Sequence, residues 1–138
     1  MTNIENLRQA IERLRRGISE CQVNPDNPHV QLSVLHSFEV TYNLAESFLR
    51  EACVERLLGP EAAYFSTREL IWRASEEGVE FPSRRQWVEY GTSLESMRDT
   101  CMLSGTGNLA ESLQVLGEFA RGVEAFADSL QERLAFNV

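Results

Sequence analysis

The sequence predicts an all-α fold, an up-and-down four-helix bundle with an additional short helix, and residues 1–138 are read as a single helical-bundle domain. Three observations predict it. From Gln31 to Leu58 runs the longest stretch without Pro or Gly, and Leu35, Phe38, Tyr42, Ala45, Leu49 and Ala52 recur along it at alternating spacings of three and four. Towards the other end, Leu109, Leu113, Leu116, Ala120, Val123, Ala127, Leu130 and Leu134 repeat the same steps in a heptad-like seam. No segment of useful length alternates apolar and polar residues with the period of a strand.

The first helix is expected from Thr2, where Glu5 three residues on completes a capping box. Its single stripe, Ile4, Leu7, Ile11, Leu14, Ile18 and Cys21, runs to about Gln22. On the outer face Arg8, Arg13, Arg15 and Arg16 stand among Glu5, Glu12 and Glu20, as in a solvated, ion-laced helix. A small basic patch for a nucleic-acid backbone is the sharper alternative. Asn24-Pro25-Asp26-Asn27-Pro28 breaks the helix, and the second begins near His29 as its antiparallel neighbour.

A second apolar row, Val30, Val34, Thr41, Leu44 and Phe48, flanks the main stripe of the second helix. That arc is wider than one helix-on-helix seam can cover, so this helix is expected at the centre, touched from more than one side. His36, Glu39, Asn43, Glu46 and Arg50 form the narrow polar line that remains, and Gly59-Pro60 supplies the stop. Ser66-Thr67-Arg68-Glu69 caps a short helix that closes at Gly78, with Trp72 read first as packed on the bundle and alternatively as reaching a partner. Ser83 with Gln86 caps the next, whose apolar positions are Trp87, Tyr90, Leu94, Met97 and Cys101. Met102 to Gly107 is a glycine-bearing break, after which Asn108 and Glu111 cap the last helix. Phe119 and Phe126 broaden its seam and are offered to a dimer contact, with Trp72 adding to that apolar surplus.

Composition removes several chemistries. All 13 basic residues are arginine, so a Schiff base, a lysine general base and a phosphate-loop lysine have no amine to use. A formal net charge of −8 works against broad, sequence-independent nucleic-acid binding, and any nucleotide or RNA contact would be local. Cys21, Cys53 and Cys101 are odd in number, far apart and without a Cys-x-x-Cys pair, which reads as buried free thiols. Gly105 and Gly107 follow no strand and lack the rest of a dinucleotide fingerprint. His36 precedes Glu39 by three, the reverse of the Glu-x-x-His order of diiron bundles, and occurs once. No metal or cofactor is expected. No stretch reaches the ~20 apolar residues of a membrane span, and no leader pattern opens the chain, so a cytoplasmic protein without membrane partners is expected.

Phe38-Glu39-Val40-Thr41-Tyr42-Asn43-Leu44-Ala45 resembles the Phe-Glu-x-Thr-Tyr-x-Leu-Ala signature of the nucleotidyltransferase substrate-binding protein family, within the HEPN superfamily. Where family members commonly carry Glu, Trp and Lys, this chain has Asn43, Glu46 and Ser47. Arg68-Glu69-Leu70-Ile71-Trp72-Arg73-Ala74 with Gly78 is similar to a second stretch of the family, with Thr67 in place of its leading Pro. The resemblance implies a helical bundle, often homodimeric, usually encoded beside a minimal nucleotidyltransferase and related to toxin and antitoxin pairs.

Ribonuclease members of the superfamily carry Arg, a polar residue and then His, often with a following Tyr. Arg98 and Asp99 match the first two, whereas Leu103 and Gly105 stand where His and Tyr are expected. Leucine can neither move a proton nor stabilise a developing charge. Arg98, Asp99 and Ser104, with the signature residues Glu39 and Tyr42, are therefore candidates for ligand or partner binding, and none is assigned catalysis. Arg98 and Asp99 equally suit an ion pair at a helix end, and Tyr42 lies on the core stripe. The leading function is a noncatalytic homodimeric partner of a separate minimal nucleotidyltransferase that assists substrate binding. A divergent HEPN ribonuclease toxin and a helical interaction module with no nucleotide link are the alternatives.

Overall fold

A computed structural model of the chain describes residues 3–103 and 110–134. Among these the fold is all helical, with five α-helices: α1 (Glu5–Val23), α2 (Pro28–Ala52), α3 (Thr67–Glu76), α4 (Arg84–Leu103) and α5 (Ala110–Leu134). Thr2 and the segment 104–109, with its glycines and Asn108, lie outside the described residues.

Local chemistry sets most helix ends. Asn3 Oδ1 accepts from the Glu5 amide at 2.8 Å, so Asn3 serves the first turn of α1. Asn27 caps α2 by accepting from the amides of His29 and Val30, with Pro28 in the first turn where its missing N–H costs nothing. Ser66 Oγ accepts from the Glu69 amide at 3.2 Å, as its spacing predicts. At α4 the capping box is reciprocal: Gln86 N donates to Ser83 Oγ at 3.1 Å, and Ser83 N donates to Gln86 Oε1 at 2.9 Å. The far end of α3 closes through Val79 N to Ala74 O and Gly78 N to Ser75 O, both 3.0 Å, around Gly78 at φ +82°.

The end of α2 departs from expectation. Cys53–Leu57 form a π-helical turn, with the Leu58 amide reaching Cys53 O at 2.7 Å across five residues. Gly59, at φ +101°, then releases the chain into a 3₁₀ turn, Pro60–Tyr64. The stop falls where Gly59-Pro60 places it, but the preceding turn is widened by one residue per bond.

α2 packs against α1, α3, α4 and α5, which is the central position its double apolar row requires. Val34, Leu35, Phe38, Thr41, Ala45, Phe48, Leu49 and Ala52 are all buried. Against α1, Gly17 lies where an added Cβ would stand 3.3 Å from Val34, and Thr41 Oγ1, which donates to Ser37 O at 2.7 Å, also comes within 3.3 Å of Ala10 O. Against α5, Arg8 pairs with Asp128 at 2.8 Å and also binds Gln131, while Arg15 pairs with Glu124 at 2.8 Å. Arg8 and Arg15 are thus committed to side chains of α5 and Arg16 pairs with Glu12, as in the expected ion-laced face rather than the alternative basic patch.

Phe119 and Phe126 are fully buried, which corrects their assignment to a dimer surface. Phe119 sits among Phe38, Tyr42, Trp87 and Tyr90, and Phe126 meets Phe81 edge-on at 4.7 Å. The interior needs these rings because α4 brings few large aliphatic side chains to its inner face. Trp72 is the opposite correction: it is 51% exposed, beside Arg73, whose guanidinium lies 5.4 Å from its ring centroid. Leu70, Ile71 and Ala74 fill the buried face of α3, leaving Trp72 on its outer edge. No helix among the described residues is long and apolar enough to cross a membrane.

Candidate functional site

The polar line of α2 meets α4 and the connector after α2, and three of its five members, Glu39, Glu46 and Arg50, are engaged there. Glu39 Oε2 lies 3.2 Å from Arg98 Nη2, with both side chains somewhat under half exposed. Two turns further along, Glu46 Oε1 accepts the indole N–H of Trp87 at 2.7 Å. One turn beyond that, Arg50 Nη1 donates to the carbonyls of Ala62 (3.3 Å), Ala63 (3.2 Å) and Phe65 (2.7 Å). Helical spacing explains the order, since residues three and four apart share one face and meet successive neighbours.

Tyr42 lies between these tethers. Its ring stacks on Trp87 with centroids 4.3 Å apart and planes 9° apart, and its hydroxyl is 3.5 Å from Trp87 O. A Cβ built at Gly91 would stand 2.9 Å from that hydroxyl, so a residue without a side chain lets α4 approach Tyr42. Burial, with the carboxylates of Glu46 and Glu95 adding to it, pushes the Tyr42 phenol up to about 12. A phenol so shifted stays protonated across the physiological range.

Of the residues singled out from the sequence, Arg98, Glu39 and Tyr42 come together on the α2–α4 face. Asp99 is exposed on the next position of α4, and Ser104 lies outside the described residues. His36 is exposed one turn before Glu39. Sequence reasoning placed Glu46 and Arg50 on the polar line but not their partners, which lie 41 and 12 to 15 residues away. Trp87 and Gly91 carried no signal beyond an apolar position and a mid-helix glycine.

Past Glu46 an open groove of about 480 Å³ follows α2 into the π turn, lined by Asn43, Glu46, Ser47, Glu51, Val54 and Glu55 among others. Cys53, beneath the turn, is fully buried; burial raises its thiol to about 11, with Arg50 opposing. Burial also raises Cys21 and Cys101, so the free thiols are held as neutral, weakly nucleophilic groups. The arrangement can hold two helices in register and present a carboxylate-rich surface. No protein-family model matches this chain, and no curated protein matches it significantly.

Proposed function

We propose that this chain is a noncatalytic, homodimeric, cytoplasmic partner of a separate minimal nucleotidyltransferase, built as an up-and-down four-helix bundle with α3 as the short addition. One observation carries the reading: the signature residues are spent on holding helices together. Glu39 binds Arg98, and Tyr42 is stacked on Trp87 with its phenol pushed up to about 12. A group locked and protonated in this way is suited to shape a binding surface and unsuited to move a proton near neutrality. Contacts in opposite order along neighbouring helices support the bundle: 10 with 41 and 17 with 34 for α1 and α2, 46 with 87 and 39 with 98 for α2 and α4. The nucleotidyltransferase link rests on the Phe38–Ala45 resemblance, and the homodimer on the same resemblance together with the exposed Trp72.

The test joins capture and chemistry. Tagged protein expressed in its native host should retain a nucleotidyltransferase identifiable by mass spectrometry, and Arg98→Ala should weaken that retention while far-UV circular dichroism keeps its helical signal. Purified protein incubated with structured and single-stranded RNA, with and without magnesium, should show no turnover. RNA cleavage that persists through repurification and disappears in Arg98→Ala would replace this reading with the divergent ribonuclease.

A further inference from the structure

The groove at the end of α2 borders a ridge of contrasting chemistry. Ala63 lines the groove, and the next residue, Tyr64, is 91% exposed. Phe65 follows, with the Arg73 guanidinium 5.7 Å from its ring; the same guanidinium lies 5.4 Å from Trp72. Arg68 is exposed one helical turn before Trp72 on α3, so the two share an outer face. Arg50, through its three carbonyl bonds, fixes the connector that joins groove to ridge.

The two halves carry a surplus of opposite sign, Glu46, Glu51 and Glu55 against Arg50 in the groove and Arg68 and Arg73 against Glu69 on the ridge. Among the described residues neither Glu55 in the groove nor Arg68 on the ridge has an ion-pair partner, whereas six other arginines do. Val54 and Ala63 give the groove an apolar side, and Trp72 and Tyr64 give the ridge two exposed rings. Tryptophan and tyrosine anchors with arginine are what the centre of a protein contact favours. A surface that carries both a patch and its complement, side by side, is self-complementary under a two-fold axis.

We propose that this face docks a second copy of the chain, with the Tyr64–Arg68–Trp72 ridge of each protomer seated in the Glu55-bearing groove of the other. The inference deepens the homodimer reading above and rests on it. Because the contact is isologous, each protomer supplies one ridge and one groove, and every pairing occurs twice. A single substitution therefore removes two contacts at once.

Sedimentation of the full chain at micromolar concentration, with Trp72→Ala, Tyr64→Ser, Arg68→Glu, Glu55→Arg and the Arg68→Glu/Glu55→Arg pair, decides it. All four positions changed are exposed, and far-UV circular dichroism checks that each variant keeps its helix. Wild type should sediment as a dimer, with Trp72→Ala weakening self-association at least about tenfold. Each charge reversal should weaken it, and the double reversal should restore it by re-forming the pair with the signs exchanged. A dimer indifferent to all the single substitutions would overturn this surface and leave the homodimer reading standing. A double reversal that stays as weak as the singles would overturn the Glu55–Arg68 pairing, and a wild-type monomer would remove both the surface and the homodimer.

Discussion

Gly91 shows how one residue fixes the meeting of α2 and α4. Alanine suits a helix interior better than glycine by about 1 kcal/mol, yet its Cβ would stand 2.9 Å from the Tyr42 hydroxyl. That hydroxyl ends a rigid ring stacked on Trp87, so the whole ring must shift. Overpacking of this kind costs about 1–3 kcal/mol, and Gly91→Ala is expected to lower the urea midpoint. The ring carbon behind the hydroxyl is 3.6 Å away, an ordinary contact, so Tyr42→Phe should accept the alanine. The double variant should recover the loss, and a double-mutant cycle without coupling would show that the hydroxyl is not the obstacle. Protonation gives a second prediction at this scale. Cys53 and Tyr42 have folded-state values of about 11 and about 12, above their ordinary 9.0 and 10.0. The folded chain therefore holds these protons more tightly than the unfolded chain. That stability is fully present below pH 9 and is lost progressively between about 9 and 12. Urea midpoints should be flat with respect to these groups up to pH 9 and fall above it, and Tyr42→Phe should make the fall above pH 10 shallower, leaving the shares of Cys53 and Tyr90.

At the scale of elements, what could be read from the sequence and what could not divide by distance along the chain. The N-cap at Ser66 and the capping box at Ser83 involve partners three residues away, so local chemistry specifies them. The apolar rows of α1, α2 and α4 likewise follow from spacing, and Tyr42 on the core stripe proved to be a packing residue. The seam of α5 announced an apolar face but not its cover, which is why Phe119 and Phe126 were offered to a dimer; Trp72 of α3 was offered both to the core and to that dimer. The π turn after Ala52 had no local signal either, because its spacing answers to the contacts it makes with α3 and the connector. Arg50 is the clearest case of a role set by tertiary contact. Its bonds to Ala62, Ala63 and Phe65 fasten the 3₁₀ turn to α2, so Arg50→Ala should speed hydrogen exchange across residues 60–66 while α1 and α5 keep their protection. Unchanged exchange there would mean that Gly59 and the π turn hold the connector without it. Ser83→Ala, which removes one half of the reciprocal box of α4, should cost about 1 kcal/mol by the same denaturation measurement.

For the whole molecule, the decisive feature is that three helices meet at one ring. Phe119 of α5 is fully buried, edge-on to Phe38 of α2 at 4.8 Å and to Tyr90 of α4 at 5.2 Å, with Trp87 at 5.8 Å and Tyr42 at 6.3 Å. Through Trp87 and Tyr42 this ring cluster is continuous with the tethers of the polar line, so the α2–α4 face and the core share a support. Truncation of such a ring removes its burial and leaves a cavity among neighbours that are themselves rigid, and Phe→Ala costs about 3–5 kcal/mol. A domain of this size has only about 5–15 kcal/mol in total. Phe119→Ala is therefore expected to lower the urea midpoint more than any surface change proposed above. It should also diminish the near-ultraviolet circular dichroism of Trp87, whose asymmetric surroundings Phe119 helps to make. Phe119→Leu, which keeps most of the volume, should retain the fold with a smaller loss. If the alanine variant unfolded as late as wild type, α5 would be held by its edge pairs, Arg8 with Asp128 and Arg15 with Glu124, and the aromatic cluster would not be what binds α5 to α2 and α4. The half-exposed setting of those pairs argues against that outcome, because exposed ion pairs contribute about 1 kcal/mol or less.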